Sequence, residues 1–156
     1  MHKEKVPLRE GDYTHFDIVK HPGGAVILAI NNSQKVCMLK QWRHAIGQSI
    51  WELPAGCLEP GEPPMNTAKR ELEEEAGVVA NQWSELGTIV PSPGFSNEVL
   101  YLFKATDIHP GHQRLDDAEQ LEVHWIDLAT VQSMASNGQI IDAKTLAALL
   151  RYSDEG

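Results

Sequence analysis

The apolar positions of this chain fall in short, regularly spaced runs. Ala25–Ile30 is the longest, six apolar residues in a row, and predicts a strand buried on both faces. Asn31-Asn32-Ser33-Gln34 follows as a turn, and Lys35–Gln41 predicts the returning strand. Lys5–Leu8 and Tyr13–Lys20 flank Arg9-Glu10-Gly11-Asp12, a turn signal, and predict a hairpin. Ile50–Leu53 reads as a short extended piece stopped by Pro54. Trp83–Val90 and Glu98–Thr106 read as strands around a Pro/Ser/Gly loop, and Glu119–Ile126 alternates Leu121, Val123 and Trp125 as a half-buried strand should.

The helical period appears in three places. Pro63–Ala76 carries prolines only in its first turn and ends at Gly77, a natural stop. Asp127 is placed to cap a helix running to Ser136, and Asp142 to cap a last helix with Leu146, Leu149 and Leu150 at apolar spacing. Strands outnumber helices and helices interrupt them, so the expected fold class is α/β, a mixed β-sheet with helices on its faces.

Length and charge narrow the partners. At 156 residues and 42% hydrophobic, the chain is expected to form one domain, 1–156, with 1–22 as an N-terminal hairpin. Thirteen basic and 22 acidic residues give a net charge of −9, which argues against nucleic acid and acidic membranes as partners. A six-residue apolar run cannot span a bilayer, which takes about 20 residues. Met1–Pro7 has no apolar stretch of the kind a signal peptide needs, and Cys37 and Cys57 lack zinc-site spacing. A cytoplasmic location with reduced thiols is expected.

The candidate chemistry lies in 56–78. On a helix advancing ~100° per residue, Glu71, Glu74 and Glu75 share one face. Like charges so spaced destabilise a helix by a few tenths of a kcal/mol per pair. A hard cation such as Mg²⁺, which takes carboxylate, water and phosphate oxygens, would turn that cost into affinity. Arg70 can reach Glu62 across the loop and hold loop and helix in register. A solvated acidic helix would look the same over Glu71–Glu75 alone.

The wider pattern is decisive. Gly56, Glu62, Arg70, Glu71, Leu72, Glu74, Glu75, Gly77 and Val78 fit G-x5-E-x7-R-E-U-x-E-E-x-G-U, with U apolar, at every position. Chance agreement in this length is rarer than roughly one in a million at ordinary residue frequencies. The chain thus resembles the Nudix hydrolase superfamily from about Tyr13 to Arg151. That resemblance implies an α/β/α sandwich with a loop–helix–loop box, cleaving a nucleoside diphosphate linked to another moiety. It implies Glu71 and Glu75 as metal ligands, Glu74 as ligand or base, and the Ala55 carbonyl as a further ligand. The metal would be Mg²⁺, with Mn²⁺ as its substitute.

Other segments resemble the ADP-ribose pyrophosphatase branch, whose substrates are nucleoside diphosphate sugars. Asp17–Val26 and Gln41-Trp42-Arg43 do so, the arginine of the latter implying a phosphate contact. Trp51-Glu52-Leu53-Pro54-Ala55-Gly56 and the Ser92-Pro93-Gly94 loop ending at Glu98 do so too, with Pro93 sixteen residues past Gly77. Arg43, Glu52, Pro93, Gly94 and Glu98 are therefore expected at the substrate, with Arg70, Glu74, Asp117 and Glu119 in the catalytic group. The base is left between Glu119, Asp117 and Glu74. The resemblance also implies a homodimer, although the segment preceding Pro22 is shorter than in typical members. A triphosphate or dinucleoside polyphosphate hydrolase, and a non-catalytic nucleotide-sugar sensor, are the rival readings.

Overall fold

The computed structural model describes residues 1–115 and 120–153. Nine strands and three helices follow one another in these residues. The strands are β1 (His2–Pro7), β2 (Tyr13–Ile18), β3 (Gly24–Ala29), β4 (Lys35–Arg43), β5 (Gln48–Glu52), β6 (Ala55–Cys57), β7 (Val78–Ile89), β8 (Leu100–Pro110) and β9 (Leu121–Asp127). The helices are α1 (Pro64–Ala76), α2 (Leu128–Ser136) and α3 (Ala143–Ser153). The arrangement is the mixed α/β fold that the pattern predicts.

Strands β6, β3, β8 and β7 form one sheet in that order, with β3 and β8 parallel and the other pairs antiparallel. Strands β5, β4 and β9 form a second, antiparallel sheet, and β1 and β2 pair as a separate hairpin. The six-residue apolar run explains the layering. Val26, Leu28 and Ile30 belong to a core cluster shared with Val131 of α2 and with Ala148 and Leu149 of α3. Ala25, Ile27 and Ala29 belong to a second cluster with Ala68 and Leu72 of α1. A central strand covered on both faces has no polar face to alternate with.

Several boundaries differ from expectation, each for a tertiary reason. Ala55–Cys57 is a strand and not merely loop, because Ala55 and Gly56 pair with Val26 and Ala25. Helix α1 starts at Pro64, with Pro63 in extended conformation at the N-cap. Asp127 stands at the N-cap of α2 but its side chain accepts no capping bond, whereas Asp142 caps α3 by accepting from the Thr145 amide at 3.1 Å. Leu150 is 64% exposed and Trp42 42%, so neither is core. Asp117 and Glu119 lie outside the described residues.

Candidate active site

Helix α1 ends at Gly77, whose φ of 67° and amide bond to Glu73 O (2.9 Å) form a left-handed cap. The turns before that cap project Glu71, Glu74 and Glu75 into a cavity of about 480 Å³, also lined by Ala55, Gly56, Arg70, Arg114 and Leu115. Glu75 is 3% exposed, and its Oε2 accepts from the Ala55 amide at 2.8 Å. That bond ties β6 to the helix. Gly56 allows the approach: a Cβ there would collide with the Glu71 carboxylate.

Arg70 organises the loop side. Its Nε and Nη2 donate to the two Glu62 oxygens (3.2 and 3.0 Å), and Nη2 also reaches the Cys57 carbonyl (3.1 Å). Its Nη1 donates to Glu71 Oε1 (2.6 Å) and Glu74 Oε2 (3.2 Å). Glu62 also accepts from the Thr67 hydroxyl at 2.7 Å. The Arg70 bonds, reinforced by Thr67, pull the Glu62 carboxyl down to about 2. The loop–helix pairing expected from spacing is thus present. With Arg70 between them, the acids face a common space without closing on it. Among the described residues, no three His, Cys, Asp or Glu side chains converge as a metal cage.

A second cavity, about 320 Å³, lies on the other side of Ala55 and Gly56, which line both. Its wall includes His21, Arg43, Cys57, Pro91, Glu98, Asp142 and Lys144. Arg43 grips Glu52 side-on, Nε to Oε1 and Nη2 to Oε2, both at 2.6 Å. Lys144 donates to Glu52 Oε2 and to Asp142 Oδ1 (3.0 Å), while Asp142 Oδ2 accepts from the Thr145 hydroxyl at 2.6 Å. Thr145 Oγ1 in turn accepts from the Leu53 amide at 2.9 Å. Burial pushes the Glu52 carboxyl up, but Arg43 and Lys144 outweigh it and hold it below the ordinary value. Glu52 is 1% exposed, so it reaches the cavity only through Arg43 and Lys144.

The loop of residues 92–97 is docked onto the segment that joins β2 to β3. Val19 N donates to Phe95 O (2.7 Å), and His21 N to Asn97 Oδ1 (2.8 Å). This docking carries Glu98 to the cavity wall, 3.5 Å from His21 Nδ1. Pro93 and Gly94 are exposed at the turn, and Pro91 lines the cavity in their place.

The NUDIX domain profile matches residues 20–149. The chain belongs to the Nudix family. It is 36% identical over 151 residues to an ADP-ribose pyrophosphatase of Bacillus subtilis (strain 168), covering 96% of this chain and 82% of that protein. It is 32% identical to an ADP-ribose pyrophosphatase of Mycobacterium tuberculosis (96% and 74% covered). It is also 36% identical to a methanol dehydrogenase activator of Bacillus methanolicus (94% and 80% covered). Among solved structures, an ADP compounds hydrolase superposes with a TM-score of 0.84 at 18% identity, over 98% of this chain and 83% of that one. That likeness establishes the fold. The chain is a Nudix hydrolase acting on pyrophosphate bonds.

Nudix hydrolases generally use divalent metal ions. The donor set here fits one. Hard carboxylate oxygens share one wall, Glu75 is anchored by a backbone amide, and Gly56 keeps space beside Glu71. Cys37 fits no such role, since burial and the Glu75 charge push its thiol up to about 12. Lys144 and Arg114 join these cavities without a pattern along the chain that marks either for this chemistry. The Asp142-Ala143-Lys144-Thr145 run signalled a helix start, and nothing local marked Arg114. Glu73 is half-buried and accepts from the His112 amide at 3.3 Å.

Proposed function

We propose that this Nudix hydrolase cleaves the diphosphate of a nucleoside diphosphate sugar, ADP-ribose foremost, in a Mg²⁺-dependent reaction, with Mn²⁺ able to substitute. Water adds across the P–O–P linkage, giving a nucleoside monophosphate and a sugar phosphate and releasing protons. The observation that carries this reading is the pair of cavities meeting at Ala55 and Gly56. One offers carboxylates and the other offers anchored cations and hydroxyl acceptors. A molecule with a diphosphate in its middle and a sugar at one end matches both.

The residues then divide the work. Glu71, Glu74, Glu75 and the Ala55 carbonyl would hold the metal. When bound, it neutralises phosphate charge and lowers the pKa of a water nucleophile. Arg70 fixes the loop against the helix. Arg43 turns its remaining N–H groups to a phosphate, with Glu52 and Lys144 holding its guanidinium in place. Glu98 and Asp142 offer acceptors for sugar hydroxyls from the wall of the second cavity. Pro93 and Gly94 act by shaping the loop that delivers Glu98. A general base must come within about 2.6–3.2 Å of its water. Glu74, Glu119 and Asp117 remain the candidates for it. The active form is proposed to be a cytoplasmic homodimer, which sedimentation of the purified protein checks.

Incubation with a panel of nucleotide sugars and Mg²⁺, with products identified by mass, tests the reading. AMP and ribose phosphate from ADP-ribose support it. Pyrophosphate released from triphosphates, without attack on nucleotide sugars, replaces it with a triphosphate hydrolase. Tight ADP-ribose binding without cleavage replaces it with a sensor.

A further inference from the structure

Helix α1 leaves its last carbonyls without helical partners, as every α-helix does. Here an outside segment, Gly111–Arg114, supplies two of the donors. Arg114 N donates to Glu74 O (2.9 Å) and Gln113 Nε2 to Glu75 O (2.7 Å), while Gly111 N donates to Gly77 O (2.8 Å). The fit at Gly111 is tight: a Cβ there would stand 3.2 Å from both Glu73 Cγ and Val79 Cγ1. The backbone of Arg114 is therefore fixed against the residues that carry Glu74 and Glu75.

Its side chain is held far less firmly. Arg114 lines the carboxylate cavity and its side chain is 66% exposed. Among the described residues, its guanidinium has one ion contact, Nη2 to Glu74 Oε1 at 3.5 Å. A contact this long and this exposed is worth little in water. Arg70, the other cation of the cavity, is committed to Glu62, Glu71, Glu74 and the Cys57 carbonyl. Of the two guanidiniums, only that of Arg114 can turn to a ligand at small cost.

We propose that Arg114 is a phosphate-binding residue of this site: on a fixed mount at the end of the box helix, its guanidinium exchanges Glu74 for an oxygen of the bound diphosphate. The exchange gains a planar two-donor contact suited to phosphate and frees Glu74 Oε1 toward the cavity, while Glu74 Oε2 stays with Arg70 Nη1. It rests on the diphosphate chemistry proposed above, though not on which nucleotide sugar is cut.

Calorimetric titration of inorganic pyrophosphate with Mg²⁺ into wild type, Arg114→Ala and Arg114→Lys tests it. Arg114→Ala should weaken binding at least about tenfold, the scale of a lost charge-assisted contact. Arg114→Lys should fall between, keeping charge without the two-donor edge. Melting temperatures should stay together, since surface substitutions seldom exceed about 0.5 kcal/mol. On the best diphosphate sugar of the panel, Arg114→Ala should lose a similar factor in kcat/KM. Equal pyrophosphate affinity in wild type and Arg114→Ala overturns the proposal, as does no binding by wild type. If wild type binds pyrophosphate but leaves ADP-ribose intact, the substrate reading fails and the Arg114 comparison still stands.

Discussion

The two cavities that meet at Ala55 and Gly56 handle charge in opposite ways. In the second cavity, Arg43, Lys144, Glu52 and Asp142 neutralise one another through a closed network running back to Thr145 and Leu53. In the first, three glutamates face two arginines, one of them loosely held, and the acids do not converge. A closed network presents a ready-made geometry to an anion. An open acid cluster costs free energy that only an added cation recovers. The difference teaches which half of the site is built in advance and which half is completed on binding.

The sharpest way to break that contrast is Glu75→Gln. It should lower kcat at least about a hundredfold in steady-state assays, the scale of a lost transition-state charge contact. Near-normal turnover would remove the metal role from the first cavity. Glu52→Gln attacks the other side. It leaves Arg43 and Lys144 facing each other with their shared anion gone, and should cost about 2–3 kcal/mol, the scale of hydrogen bonds to a charged group. Urea denaturation reads the loss, and a value near zero would mean the network is not built in advance.

Gly56→Ala tests the seam between them. Its Cβ would displace the Glu71 carboxylate, an overpacking change worth about 1–3 kcal/mol. Mn²⁺ affinity measured by electron paramagnetic resonance should fall with it, and unchanged affinity would show that Glu71 has room elsewhere.

The smallest expected effect concerns Glu62. Its carboxyl titrates near 2 in the folded protein against 4.5 ordinarily, a depressed value. The stability it contributes is therefore complete above about 4.5 and drains away as pH falls toward about 2. Thermal melts across that window should fall less steeply for Glu62→Gln than for wild type. Parallel curves would count against the Arg70–Glu62 clasp as a source of acid sensitivity.

Much of the site was legible along the chain because it is local. Glu71, Glu74 and Glu75 share a helix face by spacing alone, and Gly56, Glu62 and Arg70 lie within one loop and helix. Arg43 and Glu98 could be named from their segments, but their settings could not. Glu52 is sealed from the cavity behind Arg43 and Lys144, and Pro91 lines the cavity in place of Pro93, the loop being docked through Phe95 and Asn97.

The sequence by itself determined the α/β class, the two-faced burial of Ala25–Ile30, and the acidic face of the box helix. These follow from periodicity, which acts over a few residues. Only the tertiary structure decided that Lys144 shares Glu52 with Arg43 across 92 positions of chain, and that Gln113 and Arg114 cap the helix carrying Glu74 and Glu75. The physical reason is that a buried charge or an orphan carbonyl takes whichever partner packing brings within about 3 Å. Sequence distance places no limit on that choice.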